Sequence, residues 1–155
     1  MGKKSGSSFE YKRDDVNSSF GILAIRLAVG VPLGIVVAFV GNIFNGIIVP
    51  SPAAGDDFAF IFRMAVLGVS ASTGGMVAWF NAFESKFGSI GLWAFGGFGG
   101  LVGAVIAYFV GGHYIDHPDV YILNQQLTQT VIFGAAIGSN VFAAGLSLYD
   151  ASRSG

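Results

Sequence analysis

The chain has 155 residues, 53% of them hydrophobic and only 11% charged, with a formal net charge of -1. Soluble domains carry roughly 25% charged residues, so this composition excludes an ordinary water-soluble domain, and the charge balance excludes a basic nucleic-acid surface. Cysteine is absent, which removes disulfides, thiolate metal sites and cysteine nucleophiles from consideration.

Residues 1–19 form a polar N-terminal tail with Lys3, Lys4, Lys12 and Arg13. It does not read as a secretory signal: the apolar run behind it is too long for an h-region, and no small-residue cleavage site follows. A myristoylation pattern fails at Gly6, where Ser or Thr is needed.

The first apolar run covers 20–49. Its 30 residues give a helix of about 45 Å, against a bilayer core of roughly 30 Å, so it must tilt or project. Pro32 predicts a kink, Pro50 and Pro52 predict the end, and Arg26 is close enough to an interface to snorkel. Gly30, Gly34 and Gly41 fall on one stripe. Asn42 and Asn45 add polarity near the far end.

A second run covers 58–80. Arg63 lies near its start, with Asp56 two turns before as a rim partner, and Gly68, Ser72 and Gly75 share a face. The third run, 90–110, is the richest in glycine: Gly96, Gly99, Gly100 and Gly103 make two GxxxG steps, while Gly97 points away from them. Two smooth faces on one helix predict a neighbour beyond the bundle, because small residues let helices in lipid approach closely. Phe95, Phe98 and Phe109 offer bulk opposite such grooves, or face lipid.

The connection 111–124 carries His113, Asp116, His117 and Asp119. Gly111, Gly112 and Pro118 argue against a helix there, so it reads as a wet loop and no metal is expected. No histidine lies within a run, so haem or chlorophyll has no buried ligand. The fourth run, 127–148, holds Gly134, Gly138 and Gly145 at the spacing of the first. Gln125, Gln126, Thr128, Gln129 and Thr130 open it, and Ser139 and Asn140 lie deeper.

The expected fold is all-α: an integral-membrane bundle of four transmembrane helices over 20–149, with glycine-rich helix packing and a short C-terminal tail, 150–155. Lysine and arginine mark the tails and the connection holding Lys86, whereas 50–57 and 111–124 hold none. The positive-inside rule then places both termini in the cytoplasm or its organellar equivalent, in a bacterial inner membrane or an organelle. Trp79, Trp93, Tyr108, Tyr114, Tyr121 and Tyr149 read as interfacial aromatics.

No phosphate loop, HExxH or GxSxG motif is present, and no acidic residue lies inside a run, so an enzyme is not expected. The first functional expectation is a non-catalytic subunit of a larger membrane complex. Its partners would be lipids and other membrane subunits or copies of itself, with no nucleic acid. The alternative is a small homo-oligomeric channel or transporter. Asn42, Asn45, Arg63, Gln125, Gln129 and Asn140 would then mark a polar route; the plainer account is interhelical hydrogen bonds. No cofactor is demanded, although Phe-lined grooves would suit lipid, quinone or pigment.

Overall fold

A computed structural model of the chain describes residues 7–48, 57–79 and 88–153. They form α1 (Ser7–Ile48), α2 (Asp57–Trp79), α3 (Gly88–Tyr114) and α4 (Val120–Arg153). There is no strand among the described residues. All four helices contain a segment long and apolar enough to cross a membrane, namely Phe20–Ile48, Asp57–Trp79, Ile90–Tyr114 and Val120–Tyr149. Lys3, Lys4, Pro50, Pro52, Asp56 and Lys86 lie outside the described residues, and with them the ends assigned to the first two runs and the expected Asp56–Arg63 pair.

Each helix packs against its neighbours in sequence, α4 also closes against α1, and α2 meets α4 across the diagonal; among the described residues α1 and α3 share no contact. Facing pairs such as Gly41 with Ser70, Gly68 with Gly100 and Gly103 with Gly134 show that consecutive helices run antiparallel. One end of the bundle therefore carries the α3–α4 loop, and the opposite end carries Trp79.

Three boundaries differ from the sequence reading. α3 runs through Gly111 and Gly112 to Tyr114, and α4 begins at Val120, leaving only 115–119 as loop. Tertiary contact overrides glycine's weak helix propensity here: Gly111 is packed beneath α4, where an added Cβ would lie 2.9 Å from Leu127 and 3.3 Å from Thr130. Asp119 starts α4 as an N-cap. Its Oδ1 accepts from the Tyr121 amide at 2.8 Å, satisfying one of the donors that a helix start leaves unpaired. α1 also begins well before the apolar run. Its 42 residues span about 63 Å, so a polar first stretch extends beyond any bilayer core.

The closest approaches are backbone on backbone. Between α3 and α4, a Cβ on Gly103 would meet the Gly134 carbonyl, and one on Gly138 would meet the Gly99 carbonyl. Between α2 and α3, a Cβ on Gly100 would lie 2.7 Å from the Gly68 Cα. Gly97 faces this same α2 surface, 3.6 Å from Val69. Both smooth faces of α3 are thus occupied within the chain, which removes the sequence argument for an outside helix at that place. Gly145 meets nothing within 4 Å. It stands on the exposed face of α4, while Leu92 of α3 packs on the neighbouring Ala143 and Ala144.

Phe142 of α4, rather than a phenylalanine of α3, lies against Gly99. Phe98 and Phe109 are 58% and 66% exposed, as expected of side chains turned to lipid. Replacing Gly103 with leucine is expected to destabilise the bundle by about 2 kcal/mol or more, whereas Gly145→Leu should change stability by less than about 0.5 kcal/mol. Thermal unfolding of the two purified variants in detergent checks this; equal melting temperatures would contradict the placement.

Candidate functional site

Polar side chains from three helices and an aromatic from the fourth meet at the α3–α4 loop end. They enclose a cavity of about 580 Å³ lined by Asn42, Asn45, Arg63, Tyr108, Asn124 and Thr128, with Phe60, Met64, Leu67, Leu127 and Val131 as its apolar walls. This volume is in the usual range for a small-molecule site, roughly 300–1,000 Å³. Helix geometry sets its depth. Arg63 is six residues into α2 and Leu67 ten, so the charge sits about 9 Å and the floor about 15 Å from that helix end.

Asn45 is 3% exposed. Its Nδ2 donates to the main-chain carbonyl of Arg63 at 3.2 Å, which fixes the orientation of the amide. Its Oδ1 is buried and has no hydrogen-bond partner, a condition that costs about 1–3 kcal/mol. Among the described residues, Arg63 is the one charged side chain lining the cavity. Tyr108, read from sequence as an interfacial aromatic, is half-buried and packs edge-on against Phe60 at 4.9 Å between ring centres.

A second depression of about 340 Å³ adjoins the first through Asn42, Asn124 and Thr128 and adds Phe39, Tyr121, Gln125 and Gln129. It lies along the α1–α4 seam and opens sideways. The sequence cluster therefore divides. Asn42, Asn45 and Arg63 meet in the cavity, while Gln125 and Gln129 stand on the exposed side groove.

Asn140 belongs to neither. It lies towards the Trp79 end, 1% exposed, and its Oδ1 accepts from Trp79 Nε1 at 2.9 Å. Its Nδ2 donates to the Ala136 carbonyl at 2.9 Å. Gly30, Gly34 and Gly75 surround this amide, which only residues without side chains permit. Trp79 is itself 1% exposed. The interfacial reading of it is therefore corrected: its indole is inside the bundle, with the Arg26 guanidinium 5.8 Å from its ring centre. The hollow beside Asn140, lined also by Ser72 and Ser139, is about 10 Å³, room for one water at most.

Between the two polar zones lies an apolar layer of Ala38, Leu67, Ala71, Val131, Ile132 and Ala135, all buried. The mid-span hydroxyls add no route through it. Ser72 Oγ donates to the Trp93 carbonyl at 2.8 Å. Thr73 Oγ1 donates to the Val69 carbonyl and accepts from Trp93 Nε1. In the loop, His117 Nδ1 accepts from the Asp119 amide at 3.0 Å, so this imidazole serves the turn.

Asn124 and Tyr108 are the cavity residues that sequence reasoning missed. Asn124 was assigned to a loop; the Asp119 cap followed by Val-Tyr-Ile-Leu was the signal that would have put it on a helix.

The Trp79–Asn140 bond makes its own prediction. Trp79→Phe should cost about 1–3 kcal/mol, because it strips the donor from a buried carbonyl oxygen. Trp93→Phe, whose bond to Thr73 is exposed, should cost less than about 1 kcal/mol. Thermal unfolding followed by circular dichroism measures both; a reversed order would contradict the buried placement.

Comparison with known proteins finds no matching family model, no matching curated protein and no matching solved structure.

Proposed function

We propose that this is a non-catalytic multi-pass membrane protein that takes a small polar solute into the loop-end cavity as a channel or transporter. The observation that carries the reading is a cavity of ligand size, polar at its mouth and closed below by an apolar layer. A site open at one end and sealed at the other is what alternating or gated passage needs.

Charge gives the direction. The α3–α4 connection at the cavity end holds no lysine or arginine, while Lys12 and Arg13 on α1 and Arg153 on α4 belong to helix ends opposite it. By the positive-inside rule the cavity faces away from the cytoplasm, with both termini inside. The glycine seams support the same reading. With α3 held tightly to α2 and α4 through Gly68, Gly99, Gly100, Gly103, Gly134 and Gly138, they form a fixed frame. Passage would then need α1 and α4 to part beside Ala38 and Ala135.

A subunit role in a larger membrane complex is the second reading. One observation favours it: the most apolar window of α1 is only 17% buried within the chain, against 44% for α4. That leaves α1 a broad surface for partner helices or further copies, or for lipid.

Native mass spectrometry after mild extraction separates the two, and reconstitution tests the first. Purified protein in liposomes should conduct or exchange small polar solutes without any other polypeptide. Asn42→Ala and Thr128→Val should each alter that flux by roughly fivefold, about 1 kcal/mol, with unchanged elution on size exclusion. Flux indistinguishable from empty liposomes, together with co-purification of several different chains, would replace the transport reading with the subunit reading.

A further inference from the structure

We infer that the groove between α1 and α4 docks a membrane lipid with an uncharged, hydroxyl-rich headgroup, such as a glycosyl diacylglycerol. The inference goes beyond the solute cavity and does not depend on transport.

Depth comes first. Gly30 faces Asn140 and Gly34 faces Ala136 across the α1–α4 seam, so these helices run antiparallel and Asn42 falls level with Thr128. Both helices change character at that level. The outward stripe of α4 takes Tyr121, Gln125 and Gln129, then Phe133, Ile137 and Val141, every one of them exposed. α1 carries Asn42 and, towards its middle, the exposed Phe39 and Val36. From Thr130 to Tyr149 α4 rises about 30 Å, which matches the thickness of a bilayer core. The amides before Thr130 therefore stand at headgroup depth, and the apolar residues after it stand among acyl chains.

The groove favours one kind of headgroup. It holds about 340 Å³ and opens sideways, so a lipid can enter it without leaving its leaflet. Asn42, Asn124, Gln125, Thr128 and Gln129 supply its hydrogen-bonding groups, and no charged side chain among the described residues lines it. None of these five side chains hydrogen-bonds to another described residue. Each amide offers two donors and an acceptor, and a hydroxyl offers one donor with its acceptor pairs. Neighbouring hydroxyls on a sugar answer such amides in pairs. A phosphate would find no cation in the groove, and a quaternary ammonium has no N–H for the amide oxygens. Phe39 and Tyr121 add apolar ring surface for the C–H face of a sugar. A second copy of the chain is a poorer occupant. Below Gln129 the stripe is Phe133, Ile137 and Val141, bulky residues that hold a partner backbone away.

A lipid panel on the full chain tests this. Phosphatidylcholine nanodiscs are doped with equal amounts of glucosyl diacylglycerol, phosphatidylethanolamine, phosphatidylglycerol or unglycosylated diacylglycerol, and native mass spectrometry reads the lipid retained. Glucosyl diacylglycerol should be retained about tenfold more than each of the other three, as two matched hydrogen bonds of ordinary strength would give. Gln125→Leu combined with Gln129→Leu should lower that retention about tenfold. Gln126→Leu, on an exposed residue that does not line the groove, should leave it unchanged. All three glutamines are exposed, where substitution changes stability little. The panel on the unaltered chain decides the matter should a variant fail to fold.

Equal retention of any of the other three lipids, no retention of the glycolipid, or the same loss from Gln126→Leu overturns the inference. A dimer that the double variant dissociates would assign the face to a second copy and overturn it too. Selective retention without liposome flux would leave this inference standing and remove only the transport reading.

Discussion

Where two glycines face each other across helices, no side chain separates the backbones, and the bundle depends on that contact. A bilayer supplies no hydrophobic force to drive helices together; close dispersion contact and interhelical hydrogen bonds must do it. Gly99 and Gly103 against Gly134 and Gly138, and Gly68 against Gly100, bring three helices to near-minimal separation. α1 cannot follow everywhere. Near the loop end it carries Asn42 and Asn45, and α2 opposes them with Arg63. Side chains of this size hold α1 and α2 away from α4. The tight seams and the cavity are therefore two results of one distribution of residue size.

The two ends treat polarity in opposite ways. Asn140 is held by glycines, and both ends of its amide are bonded within the bundle. A buried polar group of that kind fixes helix register and stabilises by a modest amount, on average about 0.6 kcal/mol in membrane bundles. Asn45 is buried as deeply, yet half of its amide has no partner. Evenly satisfied polarity at the Trp79 end needs no further explanation than packing.

The helices themselves were legible because a bilayer demands about 20 consecutive apolar residues, and four such runs stand out against scarce charge. Faces were harder to read. A helix in lipid is apolar both towards its neighbours and towards the tails, so the amphipathic contrast that marks the core of a soluble protein is missing. Glycine spacing recovered part of it: Gly30 and Gly34 do face a neighbour. It failed at Gly145, where the stripe continues but the residue faces outward from the bundle. Trp79 and Tyr108 show the same limit. An aromatic near the end of a run looks the same in sequence whether it anchors at an interface or turns inward. α4 starts earlier than the sequence suggests because Asn124 looks like the end of a polar connection, although amides are tolerated well in a helix that Asp119 caps.

Arg63 ties these points together. A charged residue near the middle of a bilayer costs about 2.5–3.5 kcal/mol on the insertion scale, and less towards an interface. At about 9 Å from the helix end its long side chain could reach the headgroups by turning outward. It instead lines a cavity with three asparagines and a threonine, polar neighbours that lower the cost of desolvating its charge. A group that binds there would stabilise the fold by an amount that grows with the logarithm of its concentration over its Kd.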